Sequence, residues 1–134
     1  MTKNATTIHA VIERAPEEVY AFVANPRNMP KWAPNFGHAI ALSGEHWIME
    51  TPGGPCEVRF AKPNQLGVLD HWVITPDGKE FYNPMRVIEN GDASLISFTL
   101  FQQALWTEER LASDAALVEA DLQRLKRLVE SGTD

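Results

Sequence analysis

Close to Thr107 the hydrophobic pattern of this chain changes its period, and that change restricts the architecture more than any other feature. Upstream, from about Ile40 to Gln102, apolar and polar residues alternate in short runs separated by turn signals, the period of two that marks half-buried strands. Downstream, Leu111, Ala115, Val118, Leu122, Leu125 and Val129 recur at alternating spacings of four and three, one stripe of a helix. Thr107 reads as the N-cap ahead of Glu108 and Glu109, Lys126 and Arg127 suit the negative end of the helix dipole, and Gly132 reads as the stop. A helix of about 23 residues is roughly 35 Å long, enough to cross a small sheet. The stripe also suits a coiled-coil seam, but only about three heptads are present and the strands upstream need a lid. Packing on the sheet is therefore the reading adopted.

Thr6 to Glu13 alternates Ile8, Ala10 and Ile12 against His9, Val11 and Glu13 and reads as a first strand. Pro16 opens a short helix with Glu17 and Glu18 in its first turn and Val19, Phe22 and Val23 on one face, and Asn25-Pro26 ends it. The prolines between Pro26 and Pro34 leave room for one more helical turn, anchored by Met29 and Trp32. A run of strands follows, broken at Ser43-Gly44, Pro52 to Pro55, Lys62-Pro63-Asn64, Asp77-Gly78 and Asn90-Gly91; connections this short make an antiparallel meander. The expected fold class is α+β. A curved antiparallel sheet of about seven strands wraps around the long C-terminal helix, with two short helices after the first strand, in one domain spanning 1–134.

The hairpins decide which side chains look inward. A two-residue turn at Asp77-Gly78 sets 74 opposite 81 and 72 opposite 83, and Asn90-Gly91 sets 87 opposite 96 and 85 opposite 98. One face then collects Trp72, Ile74, Phe81, Met85, Val87, Ile96, Phe98 and Leu100, continued by Phe60, Val58, Cys56, Met49, Trp47, Leu42 and Ile40. The other takes Glu50, Glu57, Arg59, His71, Tyr82, Arg86, Ser97 and Thr99 and reads as solvated. A slip of one residue in any hairpin exchanges the faces of a strand. Asp70 and Asn83 remain as polar residues on the apolar face, with His38 at its margin. A carboxyl there must be paired, hydrogen-bonded or protonated, because desolvation penalises its charged form. Asp70 either fixes the register, pairs with Arg59, or meets a ligand as an acid or base.

A net charge of -6 and a pI near 5.2 argue against a nucleic-acid partner, whose phosphates call for a basic face. The polar start, Met1 to Thr7, carries neither a signal peptide nor an apolar span of about 20 residues, so a cytoplasmic protein without a membrane span is expected. Cys56 is the only cysteine; it forms no intramolecular disulfide and falls on an apolar strand face as an inert thiol. His9, His38, His46 and His71 lack the spacing of a metal site, and there is no nucleophile elbow or phosphate-cradling glycine loop, so neither metal nor cofactor is expected. Trp32, Trp47, Trp72 and Trp106 fill a core by default, but large rings with polar N–H groups also suit a pocket wall.

Ala15-Pro16-Glu17-Glu18-Val19-Tyr20, the stretch from Asn25-Pro26 to Trp32-Ala33-Pro34, Gly67-Val68-Leu69-Asp70-His71-Trp72, and Asp121-Leu122 to Leu125-Lys126, in this order of elements, resemble the START-like superfamily. The resemblance is to its bacterial SRPBCC, polyketide cyclase/dehydrase-like group, and covers about Ile8 to Glu130. It implies a helix-grip fold holding an apolar ligand between sheet and long helix. The two histidines and carboxylate that hold iron in the ring-hydroxylase branch have no counterpart here, and Arg59 and Arg86 face away from the cavity in which the group's cyclases keep an arginine. The expected function is binding of a small apolar ligand (lipid, polyketide or aromatic-like) by Trp32, Trp47, Met49, Val58, Phe60, Asp70, Trp72, Phe81, Asn83, Met85 and Phe98 with Val118 and Leu122 of the helix. A cyclase or dehydratase using Asp70 as acid or base, and a protein-interaction module, are the alternatives.

Overall fold

Turn chemistry and proline placement divide the chain into the elements seen in a computed structural model, which describes residues 2–132. They run β1 (Ala5–Ile12), α1 (Pro16–Ala24), a 3-10 turn (Pro26–Asn28), α2 (Met29–Trp32), β2 (Ala39–Ser43), β3 (His46–Thr51), β4 (Gly54–Phe60), β5 (His71–Ile74), β6 (Glu80–Asn83), β7 (Met85–Asn90), β8 (Ala93–Phe101) and α3 (Glu108–Glu130). The expected α+β order is the order found: one strand, two short helices, an antiparallel run and a long helix.

The eight strands form two sheets, of order β1-β8-β7 and β2-β3-β4-β5-β6. The division falls at Pro84, inside what the alternation suggested was one continuous strand. Proline brings no N–H to a ladder, so pairing with β5 stops at Asn83 and pairing with β8 starts at Met85. The segment before β5 joins the sheets: Leu69 donates its backbone N–H to Met85 O, Val87 donates to Gly67 O, and Val68 bridges Arg86. Gly67 makes this approach possible, with φ of +73° and a position where an added Cβ would lie 2.1 Å from Val87 O.

Of the two hairpins whose register the turns set, the one at Asn90-Gly91 keeps it, and β2, β3 and β4 pair with their expected apolar residues on one face. Ile40 pairs with Met49, Trp47 with Val58, Met85 with Phe98, and Val87 with Ile96. The hairpin between β5 and β6 does not: Trp72 pairs with Tyr82 and Ile74 with Glu80, one residue off the two-residue turn. Thr75 and Lys79 close a three-residue loop, Gly78 N–H bonds to Thr75 O, and Gly78 has φ of +86°. Pro76 at the second position of a β-turn, followed by a left-handed glycine, is the chemistry of that longer loop. The slip exchanges the faces of β5. Trp72 and Ile74 turn outward, with Trp72 stacked on Tyr82 at 5.2 Å, while His71 and Val73 turn inward and are buried.

The helix carries its cap as expected, since Thr107 accepts a hydrogen bond from Arg110 N–H. Its two halves differ. Leu122 and Leu125 are fully buried and Val129 nearly so, against a core that includes Ile12, Val19, Met85 and Ile96. Leu111, Ala115 and Val118, on the same stripe, are only half-buried. The C-terminal half of α3 seals the interior and the N-terminal half roofs a hollow. No helix among the described residues is long and apolar enough to cross a membrane.

Candidate ligand-binding site

Two half-open chambers adjoin, and only the second lies under α3. The first, about 610 Å³, lies between α1 and the strands β3 to β5, with Tyr20, Val23, Trp47, Val58, Phe60 and Leu69 in its wall. The second, about 460 Å³, lies under the N-terminal half of α3, with Phe81, Phe98 and Leu100 from the sheet, Val118 and Asp121 from the helix, and Phe36 and Trp106 from the loops. Both volumes fall in the range of roughly 300–1,000 Å³ typical of small-molecule sites. Only Trp32 and His71 belong to both walls, so they form the border between the chambers.

Of the residues nominated by the sequence, Trp32, Trp47, Val58, Phe60 and Asp70 line the first chamber, and Trp32, Phe81, Asn83, Phe98 and Val118 the second. Met49, Met85 and Leu122 are fully buried in packed core and line neither. Trp72 is a correction: the slipped hairpin puts it on the outer face, in a stack that continues from Tyr82 to Phe101 at 6.2 Å. Cys56 is buried and lines the second chamber.

Asp70 is buried, but its carboxylate is engaged on both oxygens. Met85 N–H donates to Oδ1 at 2.9 Å; Tyr82 O–H and Arg86 Nη2 donate to Oδ2 at 3.1 and 2.8 Å. The ion-pair partner is thus Arg86, reaching in from the outer side, and not Arg59, which pairs with Glu57 at 3.0 Å. Asp70 supplies the acceptor for the first backbone donor after Pro84, which makes it a pin at the seam between the sheets.

Two polar groups that the sequence reading did not nominate line the chambers. His71 is buried between the rings of Phe60 and Phe98, at centroid distances of 6.2 and 5.8 Å. Burial holds its pKa below the ordinary imidazole value, so the ring is neutral at pH 7. Its Nδ1 lies 3.2 Å from Leu69 O, which can only accept; Nδ1 therefore carries the proton, and Nε2 is an acceptor with no protein partner. Asp121 is the second. Burial pushes its carboxyl up to about 6, against the pull of Arg124 at 3.1 Å. A third group is Trp32, whose Nε1–H is the one buried side-chain donor among the described residues with no hydrogen-bond partner.

Asp121 was visible in the sequence as a carboxylate three residues after Val118 and four before Leu125, hence on the buried stripe. His71 needed the register of the β5–β6 hairpin, for which Pro76 was the signal. Among the described residues no three His, Cys, Asp or Glu side chains come together as a metal site.

No protein-family model and no curated protein matches the sequence. Solved structures do. A structural-genomics target from Bacillus thuringiensis is similar over 94% of this chain and 98% of its own, with a TM-score of 0.76 and 18% identity. A START superfamily protein from Mycobacterium smegmatis is similar over 96% of this chain and 99% of its own, with a TM-score of 0.72 and 12% identity. The protein Ara h 8.0201 is similar over 97% and 99%, with a TM-score of 0.64 and 11% identity. Identities this low establish the fold: the chain has the START-like helix-grip fold that its sequence resembles.

Proposed function

We propose that this chain, a single domain over 1–134, binds one small, largely apolar molecule in the hollow roofed by the N-terminal half of α3. The observation that carries the reading is the chamber of about 460 Å³ under that half of the helix, with Phe36, Phe81, Phe98, Leu100 and Trp106 among its apolar walls, adjoining one of about 610 Å³ between α1 and β3 to β5. A helix that packs tightly over one half of its length and leaves a void under the other forgoes burial it could have had. A guest is the simplest compensation. The net charge of -6 keeps nucleic acid out of consideration, and the lone buried Cys56 suits a reducing compartment such as the cytoplasm. No cofactor is required for this role. The enzyme reading that made Asp70 an acid or base loses its motive, because three donors already occupy that carboxylate.

Titration with the neutral fluorophore N-phenyl-1-naphthylamine tests the proposal. A saturable rise of about one equivalent is expected, and Val118→Trp, which fills the second chamber without touching Leu122 or Leu125, should abolish most of it. A non-saturating rise, or one that Val118→Trp leaves unchanged, would count against an internal site.

A further inference from the structure

Asp114, Val118 and Asp121 stand at i, i+4 and i+7 along α3, so they share one face of the helix, and all three belong to the wall of the second chamber. The rest of that wall is rich in rings, with Trp32, Phe36, Phe81, Phe98 and Trp106. The two carboxylates differ in what holds them. Asp114 is paired with Arg110 at 3.1 Å, and the same guanidinium lies over the Trp106 ring at 4.5 Å, so Arg110 is engaged twice. Asp121 is 8% exposed and bonds through Oδ1 alone, to Arg124 at 3.1 Å. Arg124 keeps 32% of its side chain exposed and is not part of the chamber wall. The Oδ2 atom of Asp121 has no protein partner, and unlike Trp32 Nε1 it is not sealed in by protein. An oxygen that is desolvated, reachable and unpaired asks for a donor.

Resting on the binding function proposed above, we infer that the molecule held in the second chamber is a cation, an ammonium group on an apolar frame, and that this ammonium pairs with Asp121 Oδ2. The frame then lies among the rings. Aromatic faces attract cations and not anions, so the same wall that receives the frame favours the charge. The fold itself takes the Asp121 carboxylate out of water, and pairing therefore requires desolvation of the ammonium alone. Burial outweighs Arg124 and pushes this carboxyl up to about 6, which means that it lacks the counter-charge a cation supplies. Nothing else in the wall supplies it. Arg110 is committed to Asp114, His71 is neutral at pH 7, and α2 adds only the neutral Met29 and Trp32. A carboxylate or phosphate guest would meet two aspartates and one engaged arginine, and an ether or ketone would leave Oδ2 facing a second acceptor.

The test uses 1-naphthylmethylamine and 1-naphthylmethanol, which share a frame and set an ammonium against a hydroxyl, with 1-naphthoate as the opposite charge. Calorimetry on the wild-type chain at pH 7 should give the amine at least about fivefold the affinity of the alcohol, the scale of one hydrogen bond to a charged group, and 1-naphthoate the weakest binding. By linkage, the Asp121 carboxyl carbon followed by NMR should titrate about 0.7 pH unit lower with the amine bound than with the alcohol, the same fivefold read from the proton side. Asp121→Asn keeps the shape, removes the charge, and should bring amine and alcohol within about twofold of each other. Val118→Trp, which fills this chamber, should weaken both. Equal affinity of the two probes, tighter binding of 1-naphthoate, or a preference that survives Asp121→Asn or Val118→Trp would overturn the cation inference. So would an Asp121 titration that the amine leaves where the alcohol leaves it, a readout on the wild-type chain that needs no variant to fold. Each of these outcomes leaves the binding function standing, provided that neutral N-phenyl-1-naphthylamine still saturates. Binding of none of the probes, the fluorophore included, would remove the binding function and the inference with it.

Discussion

The interior of this protein has a sealed half and a hollow half, and they treat polar groups differently. In the sealed half every buried polar side chain is provided for. Ser94, fully buried, donates to Arg14 O at 2.7 Å, and Asn28 donates to Phe22 O at 2.9 Å. In the hollow half Trp32 Nε1–H and His71 Nε2 have no protein partner, and Asp121 has only Arg124 on its own helix. One sequence thus satisfies its polar groups to different standards a few residues apart. The packed part closes its hydrogen bonds, and the part that lines the chambers leaves some of them open.

The largest expected effect comes from the packing side of this contrast. Leu122→Ala, at a fully buried position, should cost about 2–5 kcal/mol in denaturant unfolding. Val118→Ala, four residues earlier on the half-buried stripe, should cost less than about 1 kcal/mol. Similar losses at the two sites would mean that α3 is packed alike along its length and that there is no hollow half.

The two buried aspartates sharpen the contrast further. Asp70→Asn places amide hydrogens or a weaker acceptor against the Met85 and Arg86 donors and should destabilise by about 1–3 kcal/mol. Asp121→Asn should act in the opposite direction at neutral pH. Its carboxyl titrates near 6 in the folded chain and at the ordinary value of 3.8 when unfolded, so the unfolded state loses its proton first as pH rises. Stability is therefore fully present below about pH 4 and falls until about pH 6, by at most roughly 3 kcal/mol. Asp121→Asn should remove this slope, raising stability at pH 7 by about 1–2 kcal/mol and leaving it unchanged near pH 4. A wild-type chain whose stability is flat from pH 4 to 6 would deny Asp121 its desolvated environment.

The sealed half was largely legible in the sequence. The helix stripe, the Thr107 cap and the β7–β8 pairing depend on local chemistry, a 3.6-residue period, a hydroxyl before two glutamates, and a glycine at a two-residue turn. The hollow half was legible in its apolar wall but not in its polar groups. His71 and Trp72 traded places because Pro76 lengthens a loop by one residue, and a sheet turns that one residue into an exchange of faces. Asp70 was legible as buried, but its partner Arg86 follows from Pro84 dividing a strand between two sheets, a tertiary consequence of a local rule. Trp32 was nominated for its ring; that its N–H lacks a partner is a fact about packing that no spacing reveals.

The most direct test of the central claim is methyl and aromatic NMR of the chain titrated with N-phenyl-1-naphthylamine. The account predicts that shifts gather on Val73, Leu100, Val118 and the Trp32 ring, while Leu125, Val129 and Val87 of the sealed half stay where they are. Shifts centred on the outer stack of Trp72, Tyr82 and Phe101, or spread evenly over both halves, would contradict it.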